Sequence, residues 1–305
     1  MLKYLALLFT YRLLGWLPTP VAYFIADRAA TATYYLRGKL RNTVQQNLRQ
    51  VMGSEATPKE VRSAAKKALR NVTRYYADLL LLPRMNIPRF IEERLTLHNL
   101  EYLTDAITSG KGVIIISAHY GNPELILQAA RTLGINSLGI TEPLQPKQIS
   151  DFVHRLRASQ GQTFLPVSFS TIKEAIRWLG EGRAVSILCD RDIQRTGIVI
   201  PFCGAEARLP VGVAQLAMRT GATVIPMFSR RMKGNHFEVY TEPPVEMTMT
   251  GNEASDVRVN TLKIISYIEK YLRFDPGQWI VMEPIWREDE ANSRQADAPA
   301  RRVQV

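Results

Sequence analysis

Residues Val113–Gly134 read VIIISAHYGNPELILQAARTLG. The aliphatic run VIIIS has no polar alternation, the mark of a strand buried on both faces. Asn122 suits a helix N-cap and Pro123 the first helical position, so PELILQAARTLG forms a helix that closes at Gly134. His119 therefore stands at the C-terminal end of a strand, where the working groups of open α/β sheets collect. Glu124 falls in the first helical turn, where the dipole and free N–H groups favour an ionised carboxylate. A tight turn at Gly121 returns that carboxylate toward the imidazole. A carboxylate on one ring nitrogen fixes the tautomer and leaves the other nitrogen to take a proton from a hydroxyl, worth roughly 10²–10⁴ in rate. A partly buried histidine that only closes the strand fits the same spacing.

Outward from this unit the pattern repeats. NLEYLTDAITSGKG precedes it as a helix. After it NSLGIT, TFLPV, AVSILCD, TVIPMFS and HFEVYTE read as strands. KQISDFVHRLRASQG, STIKEAIRWLGEG, GVAQLAMRTG and a last helix over about 254–273 lie between or after them. Apolar strands alternating with helices predict an α/β fold, a mostly parallel central sheet flanked by helices. We divide the chain into a basic helical region (1–94), a catalytic α/β domain (95–287) and a mobile polar tail (288–305). At 305 residues, 46% hydrophobic and 22% charged, such a core is well supplied. The two cysteines, Cys189 and Cys203, are too few for a disulfide framework and read as buried thiols of a reducing compartment.

The net charge of +11 is concentrated at one end: residues 1–94 hold 16 Lys and Arg against 6 Asp and Glu. Such asymmetry implies an anionic partner. The apolar opening MLKYLALLFTYRLLGWLPTPVAYFIADRAATATYYLR favours a membrane surface over nucleic acid, for which no reader motif occurs. Trp16 and the tyrosines would sit at headgroup level, with Lys3, Arg12, Arg28, Arg37, Lys39 and Arg41 toward anionic lipid. The first apolar stretch, about 17 residues with Arg12 inside it, is short of the ~20 a spanning helix needs, and no signal-peptide cleavage pattern follows. Whether it spans or lies on the bilayer stays open at this point, as does a buried helix. In the helix over about 58–82, Lys59, Arg62, Lys66, Lys67, Arg70 and Arg74 crowd one face, toward solvent or headgroups.

Two further stretches carry candidate groups. SILCDRDI places Asp190, Arg191 and Asp192 past a strand end, where one aspartate would orient His119 and Arg191 brace the cluster or bind an anion; a purely structural ion-pair cluster is the alternative. Arg208 precedes a Pro-Val-Gly helix start that suits a phosphate or carboxylate, although a plain β-hairpin and helix cap fit equally. HExxH, G-x-S-x-G, GxGxxG and Walker patterns are absent, and the remaining histidines have no metal-ligand spacing.

Four ordered blocks then carry a resemblance: AHYGNPE, TEPLQPKQISDFVHRLRASQG, CDRDIQRTGIVIPFCGAEARLPVGVAQLAMRTGATVIP and DPGQWIVMEPIW. Over roughly residues 1–287 the chain resembles the lipid A biosynthesis lauroyl/myristoyl acyltransferase family, within the lysophospholipid-acyltransferase-like superfamily, and especially its phosphatidylinositol mannoside acyltransferase branch. The resemblance implies a membrane-associated O-acyltransferase that moves a fatty acyl chain from acyl-CoA or acyl carrier protein to a glycolipid hydroxyl. His119 matches the general base and Glu124 the acid of the H-x4-D/E motif. Glu142 matches an acidic position of the mannoside branch, and Arg157 an arginine lining the donor site. Asp190 and Asp192 lie where the branches differ, and Cys203 departs from the usual FFG. Arg157, Arg191 and Arg208 are the candidates for donor phosphates and the developing oxyanion. The expectation is a monomer without metal or resident cofactor, at the cytoplasmic face of the cytoplasmic membrane, held peripherally or by its N-terminus. A thioesterase or lipid hydrolase on the same fold is the alternative.

Overall fold

The structure, a computed structural model, describes residues 2–286; the expected tail over 288–305 lies outside them. Five helices come first: α1 (Leu2–Trp16), α2 (Thr19–Leu36), α3 (Gly38–Met52), α4 (Pro58–Leu81) and α5 (Ile87–Arg94). Then follow β1 (Leu95–His98), α6 (Glu101–Thr108), β2 (Val113–Ser117), α7 (Pro123–Thr132), β3 (Ser137–Thr141), α8 (Lys147–Ala158), β4 (Thr163–Pro166), α9 (Phe169–Gly180) and β5 (Ala184–Leu188). A hairpin of β6 (Ile198–Phe202) and β7 (Ala205–Leu209) leads to α10 (Gly212–Thr220), β8 (Thr223–Arg231), β9 (Phe237–Thr241) and α11 (Glu253–Phe274).

Seven strands form one sheet in the order β1-β9-β8-β2-β5-β3-β4. All neighbours are parallel except β8 and β9, so the mostly parallel sheet expected from the aliphatic strands is what forms. The exception has a local cause: β8 and β9 are joined by a short turn, which permits only antiparallel pairing. Gly234 and Asn235 make that turn with φ of 69° and 58°. β1 was not foreseen; LTLH is four residues long, and its only partner in the sheet, β9, comes from far along the chain. The β6–β7 hairpin stands apart from the sheet. Its turn puts Cys203 and Gly204 at φ 50° and 85°, as a two-residue hairpin loop with both central residues left-handed requires.

The N-terminal helices share the core of the body. Val44, Leu48 and Val51 of α3, unread in the sequence, and Val61, Ala65, Ala68 and Leu69 of α4 cluster with Ile114 and Ile116 of β2. Helix α4 begins with a capping box, Thr57 receiving the Glu60 N–H while the Glu60 carboxylate accepts from the Thr57 backbone. Helix α2 buries a strip at four-residue spacing, Ala22, Ala26, Ala30 and Tyr34; the alanines let it approach α4 closely. Its other side leaves Phe24, Ile25, Tyr35 and Leu36 exposed, and α1 leaves Leu5, Phe9, Leu13 and Trp16 exposed. Two α4 cations expected on the outer face are instead tied inward: Lys67 pairs with Asp275 at 2.6 Å and Arg74 with Asp27 at 2.6 Å. Among the described residues no helix is long and apolar enough to cross a membrane. At about 1.5 Å per residue, α1 reaches only about 22 Å, short of the ~30 Å hydrocarbon layer.

Candidate active site

Strand register creates the central contact. β2 and β5 are parallel neighbours with Ser117 opposite Leu188, and the Cys189 N–H continues the ladder to the Ser117 carbonyl. Two residues beyond each strand, His119 and Asp190 therefore arrive side by side. His119 Nδ1 lies 2.9 Å from Asp190 Oδ1, and the His119 backbone N–H donates to Asp190 Oδ2 at 3.0 Å. The indole Nε1–H of Trp279 donates to the same Oδ2 at 2.8 Å. Asp190 is wholly buried. Burial pushes its carboxyl up, but the His119 ring and the Trp279 and His119 N–H donors outweigh that and hold it below the usual aspartate value. An ionised Asp190 can only accept, so it fixes the His119 proton on Nδ1. Nε2 has no hydrogen-bond partner among the described residues and is left as the basic nitrogen.

The strand tip is braced from the far end of the chain. Ile280 N–H donates to the His119 carbonyl, and Gly121 N–H to the Gln278 carbonyl. This short antiparallel bridge sets Trp279 beside Tyr120 and aims its indole at Asp190. Segment 275–278 is in turn tied to α4 by Lys67–Asp275 and by Asn71, which donates to the Gly277 carbonyl at 2.8 Å. Gly121, at φ +66°, passes so close to β8 that an added Cβ would lie 1.9 Å from the Ser229 carbonyl oxygen. In the sequence Trp279 belongs to the DPGQWIVMEPIW block. Its role had no local signal, because its partner is 89 residues away.

Glu124 was expected to return to the imidazole. The structure gives it other partners: Arg157 Nε donates to Oε1 at 2.8 Å, and the Tyr75 hydroxyl donates to Oε2. Asp190 holds the ring nitrogen instead, while Glu124 lines the same cavity as His119. Burial first and the Glu124 carboxylate second raise the Tyr75 phenol, so it stays a neutral donor. Burial disfavours the Arg157 charge, but Glu124 and Tyr75 more than offset this and the guanidinium stays charged. Asn122 caps α7 as expected, receiving the Leu125 N–H at 3.0 Å, and its amide donates to buried Asp78 at 2.7 Å. Asp78 also accepts from Arg231 and, at 2.5 Å, from Tyr23 of α2. The start of the Glu124 helix is thus fixed to the N-terminal helices.

The remaining expected residues separate. Arg191 lines the cavity, but it is paired with Glu283 at 2.6 Å and with Glu142 at 3.3 Å. Asp192 turns to its own loop and accepts the Gly197 N–H at 2.7 Å, so Asp190, not Asp192, serves the imidazole. Arg208 donates to the Gly197 carbonyl at 2.9 Å. It sits on the hairpin opposite Val199 and is not among the residues lining the cavity. Cys189 and Cys203 are free and buried, and burial pushes both thiols up, Cys203 to about 12. Among the described residues no group of three or more His, Cys, Asp or Glu side chains is arranged to hold a metal ion.

His119, Glu124, Glu142, Arg157, Arg191 and Asp192 all line one cavity of about 1300 Å³, above the ~300–1,000 Å³ usual for small-molecule pockets. Its walls are largely aliphatic, with Ile115, Ile126, Leu127, Ile176, Leu216 and Val281 among them.

Residues 1–288 match the family model described as bacterial lipid A biosynthesis acyltransferase. The chain is 28% identical over 306 residues to a phosphatidylinositol mannoside acyltransferase of Mycobacterium tuberculosis (strain CDC 1551 / Oshkosh), covering 94% of this chain and 91% of the relative. It is 25% identical over 278 residues to the phosphatidylinositol mannoside acyltransferase of Mycolicibacterium smegmatis, covering 88% and 86%.

Proposed function

The chain belongs to the bacterial lipid A biosynthesis acyltransferase family and is an acyltransferase, and from that premise we propose that it transfers a fatty acyl chain from an acyl thioester to a hydroxyl of a glycolipid, with His119 as general base. The observation that carries this reading is the His119–Asp190 pair, whose imidazole lines a large, mainly aliphatic cavity. Nε2 takes the proton as the acceptor oxygen attacks the thioester carbonyl. The tetrahedral oxyanion then collapses, the C–S bond breaks, and the imidazolium returns its proton to the departing thiolate. Asp190 stabilises that imidazolium at Nδ1. Direct transfer needs no enzyme nucleophile, and the two buried thiols with raised pKa are poor candidates for one.

The relatives' printed name, phosphatidylinositol mannoside acyltransferase, supports a glycolipid acceptor; the proposed donor is acyl-CoA or acyl carrier protein. Arg157 and Arg191 each retain N–H donors beyond those used in their ion pairs and suit the donor's phosphates. The exposed Phe9, Trp16, Phe24 and Leu36, in a region of net positive charge, suit peripheral contact with an anionic membrane.

The test is His119→Ala, assayed with palmitoyl-CoA and phosphatidylinositol mannoside vesicles after its fold is verified by circular dichroism. Transfer is expected to fall by about 10²–10⁴. Wild-type turnover of the thioester that ignores the glycolipid would instead identify a hydrolase.

A further inference from the structure

The cavity at His119 touches both faces of the sheet. Side chains alternate along a strand, so neighbours point to opposite faces. Yet Gly139 and Ile140 of β3, and Ser186 and Ile187 of β5, all line this one cavity. Register assigns each pair. Phe164, Gly139, Ser186 and Ile115 form one row across β4, β3, β5 and β2, and so share a face. Ile140 and Ile187 face the other way, where they pack into the cluster that holds Ile176 of α9 and Leu216 of α10. The cavity therefore has two arms, one on each face, joined at the strand tips where His119 stands.

The arms differ. Beneath α7 and α8 the first is blind: Ile115, Leu127 and Phe164 are all buried. Two residues of its row, Gly139 and Ser186, are small, and both line the cavity. A Cβ on Gly139 would come within 2.6 Å of the Phe164 ring and 3.2 Å of Leu127. Along β2 it extends roughly 13 Å from His119 to Ile115, four residues at about 3.3 Å each. The second arm is open: Ile172, Ile193 and Met249 on its walls are exposed by 37%, 41% and 63%. Ile176, Ile187, Val213 and Leu216 give it an apolar wall, and Gln194, Gln215, Arg219 and Glu253 line the same cavity.

We propose that the two arms hold two hydrocarbon chains: the blind arm takes the acyl chain of the thioester, and the open arm takes a chain of the lipid acceptor itself. The inference rests on the acyltransferase reading and adds that the acceptor is recognised by its hydrocarbon as well as by its headgroup. A blind slot suits a chain that enters end-on and is handed over, while a lipid held by a bulky headgroup must enter through an opening. The wall of Ile176, Ile187, Val213 and Leu216 offers no partner to the amides of a phosphopantetheine arm, which favours a hydrocarbon chain against it.

The experiment uses the full chain and two acceptors with one headgroup, dioctanoyl phosphatidylinositol mannoside and its deacylated, water-soluble form, with acyl-CoAs of graded length. Leu216→Trp fills the inner wall of the open arm; Ile172→Asp, at its exposed rim, guards against misfolding of the first, and melting temperatures are compared. Both variants are expected to raise KM for the dioctanoyl acceptor at least fivefold, leaving KM for the deacylated acceptor and the donor-length profile unchanged. Gly139→Ala is expected to shift the donor profile to shorter chains with either acceptor. Calorimetric binding of the dioctanoyl lipid, expected for the wild type and weakened in both open-arm variants, reads the arm without turnover. Open-arm variants that alter the donor-length profile, or that leave every parameter unchanged, would overturn the proposal. Wild-type binding of the lipid without acyl transfer would defeat the acyltransferase reading and leave the arm assignment standing.

Discussion

Asp190 is a buried carboxylate with all its visible hydrogen bonds committed to one task. Oδ2 receives two N–H groups, from the His119 backbone and Trp279, so Oδ1 alone meets the imidazole. This makes Asp190→Asn a sharp test. The amide must keep its oxygen toward the two N–H donors, which turns its NH₂ group to Nδ1. The ring must then accept at Nδ1 and carry its proton on Nε2, the wrong tautomer for a base. We expect kcat to fall by a factor on the order of 10⁴, with the fold retained and the KM values little changed. Trp279→Phe, which removes one donor and keeps the packing, should give a smaller loss on the same assay. Glu124 was legible as a helix-start carboxylate but not as the partner of Arg157 and Tyr75, since neither lies near it in the chain.

At the scale of elements, the loop between β2 and α7 is held on three sides. Segment 278–280 bonds it on one, Ser229 of β8 receives the Asn122 N–H on another, and Asp78 of α4 takes the Asn122 amide. Gly121 is where this closeness becomes compulsory. Its positive φ alone costs an alanine about 1–2 kcal/mol, and the added Cβ would meet a backbone carbonyl, which cannot swing away. Gly121→Ala is therefore expected to lower stability by about 2–4 kcal/mol in urea unfolding and to depress transfer through displacement of His119. An alanine at Gly134, where nothing lies within 4 Å, carries only the conformational cost and serves as the comparison.

Across the whole molecule, the last described segment is fastened to the first third. Asp275 accepts from Lys67 of α4 and from Arg230 of β8 at 2.9 Å, so one carboxylate links α4, β8 and the segment that braces His119. Burial pushes Asp275 up, but Lys67, Arg230 and Gln278 prevail and hold it below the ordinary 3.8. Asp190 is depressed in the same direction. A depressed carboxyl contributes stability that is fully present above its unfolded pKa and is lost as pH falls through its folded one. The urea midpoint should therefore stay level toward neutral pH and decline below about pH 4. Asp275→Asn should lower the neutral midpoint and flatten that decline.

Local signals along the chain specify the elements and the chemistry on offer. Aliphatic strands, Asn-Pro helix starts and glycine closures are local signals, because hydrogen bonding and side-chain periodicity act over a few residues. They were enough for the mostly parallel sheet and for His119 at a strand tip, but not for the four-residue β1 or for α3. Tertiary structure alone decided the pairings. That β5 lies beside β2, and so Asp190 beside His119, depends on sheet order. That Trp279 reaches Asp190, that Asp192 and Arg208 turn to Gly197, and that the cavity reaches both faces depend on contacts between distant segments. Only the packing of the whole chain, which buries apolar surface and pairs the polar groups it encloses, selects among them.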